Sequence, residues 1–288
     1  MKWGISSNSL GQALAAGQMT LLDMVEWTKE AGGEHIEIVP SGYKLTDTPG
    51  QVQALRRKAE EVGIDISNYT VAANFVQPDE AAWEQEILRV KGEVDVAAEL
   101  GVKLMRHDVA WRPPGECSIV QFQEDLPKLA EACRRIADYA AQFGITTSVE
   151  NHGYYMQASE RIESLIHAVE RSNFRTTMDT GNFICVDESP VKGVRNNIQL
   201  ASMIHLKDFY IRSRHRNPGA GFFFQTSGGN YLRGAIVGQG DIDIPEILGI
   251  IKASGYDGYI SIEFEGIEDC RTGVKASLDN VKQIWNDL

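Results

Sequence analysis

Short runs of apolar and β-branched residues alternate along the chain with longer segments whose apolar positions recur every three or four residues. The short runs fall at 2–5, 35–39, 65–71, 102–107, 145–150, 174–179, 202–207 and 259–264 and predict eight strands. A helical pattern follows each. The clearest runs from Glu80 to Leu100, with Trp83, Ile87, Val90, Val94 and Ala97 along one face, and the last runs from about Gly273 to Trp285. Glycines mark helix ends at Gly63, Gly101, Gly144 and Gly255, where a left-handed residue closes a helix without a Cβ clash. Thr48-Pro49 and Ser189-Pro190 predict helix starts, and Asp243-Ile244-Pro245-Glu246 has capping-box spacing.

Strands that alternate with helices pair in parallel through crossovers. Eight such units predict an α/β fold, a single (β/α)8 TIM barrel spanning residues 1–288 as one domain. An open doubly wound sheet is the competing arrangement, but no Gly-x-Gly-x-x-Gly follows the first strand. Residues 209–241, between the seventh and eighth strands, read as a long irregular loop. It holds Arg212, Arg214, His215, Arg216, Arg233 and Phe222 to Phe224.

Four strands close on a metal-loving side chain: Glu150 in Ser-Val-Glu-Asn-His, Asp179 in Thr-Met-Asp-Thr-Gly-Asn, His205 in Met-Ile-His-Leu-Lys-Asp, and Glu263 in Ile-Ser-Ile-Glu-Phe-Glu-Gly. Charged groups seldom sit at the inner end of a buried strand without a partner. In a barrel these four ends face one mouth on consecutive staves. Three carboxylates and an imidazole suit one divalent cation, Mn²⁺ first, with Zn²⁺, Mg²⁺ or Co²⁺ as alternatives. Alternation puts Glu265 on the same face as Glu263, but further beyond the strand. Lys207 shares the inward direction of His205, and Asp208 reads as a loop hydrogen-bonder.

Composition narrows the function. The chain is 43% hydrophobic and 24% charged, as in ordinary globular proteins. A net charge of −12 argues against nucleic-acid binding. No apolar run approaches the roughly 20 residues that span a bilayer. Met1 to Asn8 holds no continuous apolar run, so no secretory leader and a cytoplasmic location are expected. The four cysteines form no CxxC pair and read as reduced thiols.

Val149-Glu150-Asn151-His152, Met178-Asp179-Thr180-Gly181-Asn182, Ile204-His205-Leu206-Lys207-Asp208, Gly238-Gln239-Gly240-Asp241-Ile242-Asp243 and Tyr256 to Glu263 together resemble the xylose-isomerase-like barrel superfamily of sugar (phosphate) isomerases and epimerases, which includes apurinic endonucleases. The resemblance covers the second half well and the first half only as alternating units. It implies Glu150, Asp179, His205 and Glu263 as metal ligands, with Glu150 and Glu263 also moving protons. Metal-rich relatives carry a histidine where this chain has Asn182, which implies one metal rather than three. The expected reaction is metal-dependent isomerisation or epimerisation of a ketose, keto-sugar or sugar phosphate through an enediolate. The alternative is a lyase or dehydratase acting by β-elimination on a keto-polyol or 3-keto-glycoside. An abasic-site phosphodiesterase and a sugar-binding barrel without turnover are further rivals. His107, His152, Asn182, Lys207, Glu37 and Arg212 are the expected substrate contacts, Arg212 because barrels often bind phosphate after the seventh strand. Trp111, Tyr154 and Phe222 to Phe224 could wall off water, and the phenylalanines equally suit a homo-oligomer contact.

Overall fold

The computed structural model describes residues 1–288. Eight parallel strands close into a barrel: β1 (Lys2–Ser6), β2 (His35–Ile38), β3 (Asp65–Val71), β4 (Leu104–His107), β5 (Thr146–Glu150), β6 (Phe174–Asp179), β7 (Ala201–Leu206) and, last in the chain, β11 (Tyr259–Ile262). β11 pairs with both β1 and β7, which completes the ring. The helices α1 (Gly11–Ala15), α2 (Leu21–Glu30), α3 (Gln51–Val62), α4 (Glu80–Leu100), α5 (Ile119–Ala141), α6 (Ser159–Val169), α7 (Pro190–Asn197), α8 (Ile244–Ala253) and α9 (Cys270–Asp287) lie between successive strands and after the last. The fold is a single (β/α)8 TIM barrel, as the alternating pattern predicts.

The two faces of the strands differ in kind. Ile36, Met105, Val149, Met178, Ile204 and Ile260 are fully buried in the apolar core. The alternate positions, Thr70, Arg106, Ser148, Glu150, Thr177, Asp179 and His205, are polar and buried. Strand register sets Thr70 beside Arg106, Arg106 beside Ser148, Glu150 beside Thr177 and Asp179 beside His205, so these side chains share the inner face. The upper barrel is therefore lined by groups that need partners or a ligand.

Two local expectations need correction. Thr48-Pro49 does not start α3. Gly50, at φ +78°, turns the chain in the left-handed region and the helix begins at Gln51. The stretch 209–241 is not irregular either. It folds into an antiparallel sheet of β8 (Asp208–Arg212), β10 (Tyr231–Ala235) and β9 (Phe224–Gln225), with β10 between the others. Phe209 and Leu232 are buried beneath it, and Phe209 meets Phe224 edge-on. Glycines and polar residues between the strands hid this pairing from the hydrophobic pattern. Ser189 and Asp243 cap α7 and α8 as their spacing predicts. No helix is long and apolar enough to cross a membrane.

Candidate metal centre

Glu150 and Asp179 end β5 and β6, His205 lies in β7, and Glu263 follows β11, its amide still bonded to the Leu206 carbonyl. One ligand atom from each lies within 4.8 Å of all the others, and all four side chains are buried. Asp208 helps to shape the neighbouring turn as a loop hydrogen-bonder: its carboxylate accepts from the amides of Phe209, Gly238, Gly240 and Ile242.

Each carboxylate is presented by specific neighbours. Asn151 pairs with both backbone groups of Asp179, donating to its carbonyl and accepting from its amide at 2.8 Å. Asp179 Oδ1 accepts from the amides of Gly181 and Asn182, which leaves Oδ2 free to face the cluster. A Cβ at Gly181 would lie 2.7 Å from the Lys207 carbonyl oxygen, so this turn requires glycine. Asn182 donates to Glu150 Oε1 at 3.3 Å and accepts from Lys207 Nζ at 3.3 Å.

Glu37 is the orienting partner of His205. Its Oε2 lies 2.7 Å from His205 Nε2, and its other oxygen accepts from Asn68 and Thr70. A proton on Nε2 directed at Glu37 turns Nδ1 toward the cluster, 3.4 Å from Glu263 and 3.7 Å from Glu150. Glu37 is fully buried and does not line the cavity over the cluster; where the sequence suggests a substrate contact, the structure places it against His205.

Cations hold the cluster together. Lys207 Nζ lies 2.9 Å from Glu263 Oε2, 3.3 Å from Asp179 Oδ2 and 3.4 Å from Glu265 Oε1. Arg106 Nε lies 2.8 Å from Glu150 Oε2, and its NH2 nitrogen lies 2.8 Å from Asp108. The contacts of Lys207 with Glu263 and of Arg106 Nε with Glu150 are charge contacts off the line of a hydrogen bond, which is why Glu263 Oε2 and Arg106 Nε count among the buried atoms without a hydrogen-bond partner. Burial opposes charge on both carboxylates. Arg106 nevertheless holds Glu150 below the ordinary range, and Lys207 with His205 holds Glu263 well below it. Burial and the adjacent Glu263 and Glu150 charges outweigh Lys207 at Asp179 and push it up to about 7. Burial likewise opposes charge on His205, but Glu37, Glu263 and Glu150 raise its pKa well above the ordinary value.

These residues fit a divalent cation. Asp179 Oδ2, His205 Nδ1 and Glu263 Oε2 are buried, lack hydrogen-bond partners and converge. Buried polar atoms are rarely left so, and a cation among them would satisfy all three. Three oxygens and one imidazole nitrogen suit a borderline or hard ion.

The site opens into a cavity of about 230 Å³ lined by Arg106, Glu150, His152, Lys207, Glu263 and Glu265 among others. His152 sits at its rim, with Nδ1 3.6 Å from Asp108, and the negative carboxylate raises its pKa. A smaller cavity of about 90 Å³ adjoins, lined by Trp111, Asp108, Glu150 and His152. Tyr154 bonds the Gln225 carbonyl, tying the loop after β5 to the small sheet. Phe222 to Phe224 line neither cavity.

Two further expected contacts lie elsewhere. His107 is fully buried on the outer face of β4, against Phe75 and near Phe174. Burial lowers its pKa to about 4. The inward residue of that strand is Arg106, one position earlier, which strand alternation could have identified. Arg212 bonds Asp241 at 3.0 Å on the small sheet and lines neither mouth cavity.

The family model for the xylose isomerase-like TIM barrel matches residues 25–284. The chain belongs to the xylose isomerase-like TIM barrel family. Within reach of this family barrel, the inosose dehydratase of Clostridium perfringens (strain 13 / Type A) is 23% identical over 261 residues, covering 84% of this chain and 86% of that protein. With the inosose dehydratase of Geobacillus thermodenitrificans (strain NG80-2) the identity is 25% over 146 residues. That match spans about half of each chain, 50% of this one and 48% of the relative. Among solved structures, the IolI protein with a bound zinc atom superposes with a TM-score of 0.76 at 17% identity, covering 100% of this chain and 97% of that one. D-psicose 3-epimerase with D-tagatose, from Clostridium cellulolyticum H10, gives 0.75 at 16% identity over 99% of both chains. At these identities the structural likeness is one of fold.

Proposed function

We propose that this xylose isomerase-like barrel is a divalent-metal-dependent lyase that deprotonates a keto-polyol or keto-sugar beside its carbonyl and expels a β-leaving group. The observation that carries the reading is the convergence of Glu150, Asp179, His205 and Glu263, ligand atoms within 4.8 Å of one another, beside a polar cavity that Glu150 and Glu263 line. Glu150, Asp179, His205 and Glu263 would hold the cation, with Mn²⁺ the first expectation. When bound, it would polarise the substrate carbonyl and stabilise the negative charge that deprotonation leaves on the oxygen.

The remaining roles belong to the chain itself. Glu263 lines the cavity and takes the proton beside the carbonyl on Oε1, the oxygen not offered to the cation. Lys207, against Glu263, favours negative charge on the adjacent substrate oxygen. Arg106 grips Glu150 at Oε2 and offsets the charge of that carboxylate. His152, half-exposed at the rim and raised in pKa by Asp108, delivers a proton to the leaving group. The inosose dehydratase match over most of the chain supports elimination in particular.

One observation favours a second reading. Glu150 lines the same cavity as Glu263, so a second carboxylate is available to return the proton and yield an isomer or epimer. Incubation of the Mn²⁺-loaded protein with an inosose in D₂O separates the two by mass. A lyase releases a product lighter by one water. An isomerase returns material of unchanged skeleton that carries deuterium. If neither change occurs with inososes or keto-sugars, both readings fail.

A further inference from the structure

A second, roomier cavity lies beside the one over the metal centre and has no part in the chemistry above. It measures about 830 Å³ and lies among the loops after β1 and β2 and the starts of α1, α2 and α3. Asn8, Val39 and Ser41 line both this cavity and the 230 Å³ cavity over the cluster, so the two adjoin across these residues at the barrel mouth. We propose that the larger cavity is a subsite for a neutral, ring-bearing apolar substituent of the substrate, an aglycone carried beside the sugar or polyol ring that the smaller cavity takes. This rests on the reading under Proposed function and names the substrate class within it.

Size is the first argument. A cavity of about 230 Å³ suits one small polar ring, whereas about 830 Å³ is in the range of roughly 300–1,000 Å³ that accommodates drug-sized ligands. Wall chemistry is the second. Leu14, Leu21, Leu22 and Tyr43 are half-buried there, and Met19 and Met24 add adaptable thioethers that make favourable contacts with aromatic rings. Charge is the third. Lys44 and Asp47 are the only charged residues in the lining, and Asp47 accepts from the Lys44 amide, so the wall carries no net charge to select a phosphate or carboxylate. The wall is also fastened to the site. Ser7 Oγ accepts from the Val39 amide at 2.8 Å, and Tyr43 donates to the Val39 carbonyl at 3.2 Å.

Two substitutions fill the space without touching the centre. An added Cβ at Gly11 meets nothing within 4 Å, and Ala15 is exposed on the same short helix. Phenyl β-D-glucopyranoside and methyl β-D-glucopyranoside, which lack a ketone and cannot turn over, would be titrated calorimetrically into the Mn²⁺-loaded protein. The phenyl glycoside is expected to bind roughly 10-fold or more tightly, from burial of one ring. Gly11→Phe and Ala15→Trp should remove that preference and leave the methyl glycoside unchanged. Equal affinities in the wild type, no binding by either, or a phenyl preference that survives both substitutions would overturn the subsite. Dehydration of an inosose, followed by mass on the same preparations, keeps the two claims apart. Dehydration without phenyl preference removes the subsite alone, and phenyl preference without dehydration removes the lyase reading alone.

Discussion

Glu37 Oε2 meets His205 Nε2 at 2.7 Å in the floor of the barrel, with both side chains buried. The contact fixes which imidazole nitrogen faces the cluster. Replacing Glu37 with Gln keeps the shape but removes the charge that supports the ring. Metal affinity should fall by roughly 10–100-fold, as it does when a metal-ligating histidine loses the carboxylate behind it. Chelator competition on wild type and E37Q would measure it, and unchanged affinity would show that Glu37 does not support the ligand.

Arg106 bridges Glu150 and Asp108 with its side chain only 8% exposed. Arg106→Ala leaves the buried Glu150 and the half-buried Asp108 without their nearest cation and should cost about 3–5 kcal/mol of metal-free stability. Part of that loss should return on adding Mn²⁺, since a bound cation replaces the missing charge. Urea titrations with and without metal would test both points. A loss under 1 kcal/mol would mean the bridge is not the constraint described.

Asp179 carries a pH signature in the metal-free chain. Burial first, then Glu263 and Glu150, raise it from 3.8 to about 7. Between those values the folded chain holds a proton that the unfolded chain has released, so this contribution favours folding at the acid end and is lost as pH rises through about 7. His205 acts in the same sense: its contribution is complete below its ordinary 6.5 and is lost above its raised value. Glu150 and Glu263 act in the opposite sense, contributing above their ordinary 4.5 and losing that contribution as pH falls through their depressed values. Asp179→Asn removes the first effect; the bond it also lends Glu263 acts below that residue's ordinary 4.5, outside the range from pH 5 to pH 8. With chelator present, the Tm of D179N relative to wild type should rise between pH 5 and pH 8. A difference that stays flat or falls would contradict the shift.

His152 separates the proton steps. His152→Ala should leave deuterium exchange beside the carbonyl within about threefold, because Glu263 performs it. Elimination should fall by roughly 10²–10⁴, the usual worth of a general acid. Parallel loss of both would place His152 in the first step instead.

The barrel could be read from the sequence because short runs of apolar and β-branched residues mark its strands, and glycine closes the helices between them. Glu150, Asp179, His205 and Glu263 stood out because charge at the end of such a run is rare. His107 shows where that reasoning slips. The last residue of a strand draws the eye, yet period-two alternation gives the inner face to Arg106, and one residue of register separates an outward histidine from an inward arginine. Glu37 was visible as a strand-end acid, but its bond to His205 joins residues far apart in the chain, and no local pattern encodes that distance. The sheet at 208–235 was missed because its strands are short and separated by glycine-rich turns.

Calorimetric titration of the chelator-stripped protein with Mn²⁺ tests the central claim most directly. One ion should bind per chain in the wild type, and His205→Ala and Asp179→Ala should each abolish that binding while the fold persists by circular dichroism. No binding by the wild type, or one ion bound with undiminished affinity in both variants, would contradict a metal centre at the ends of these strands.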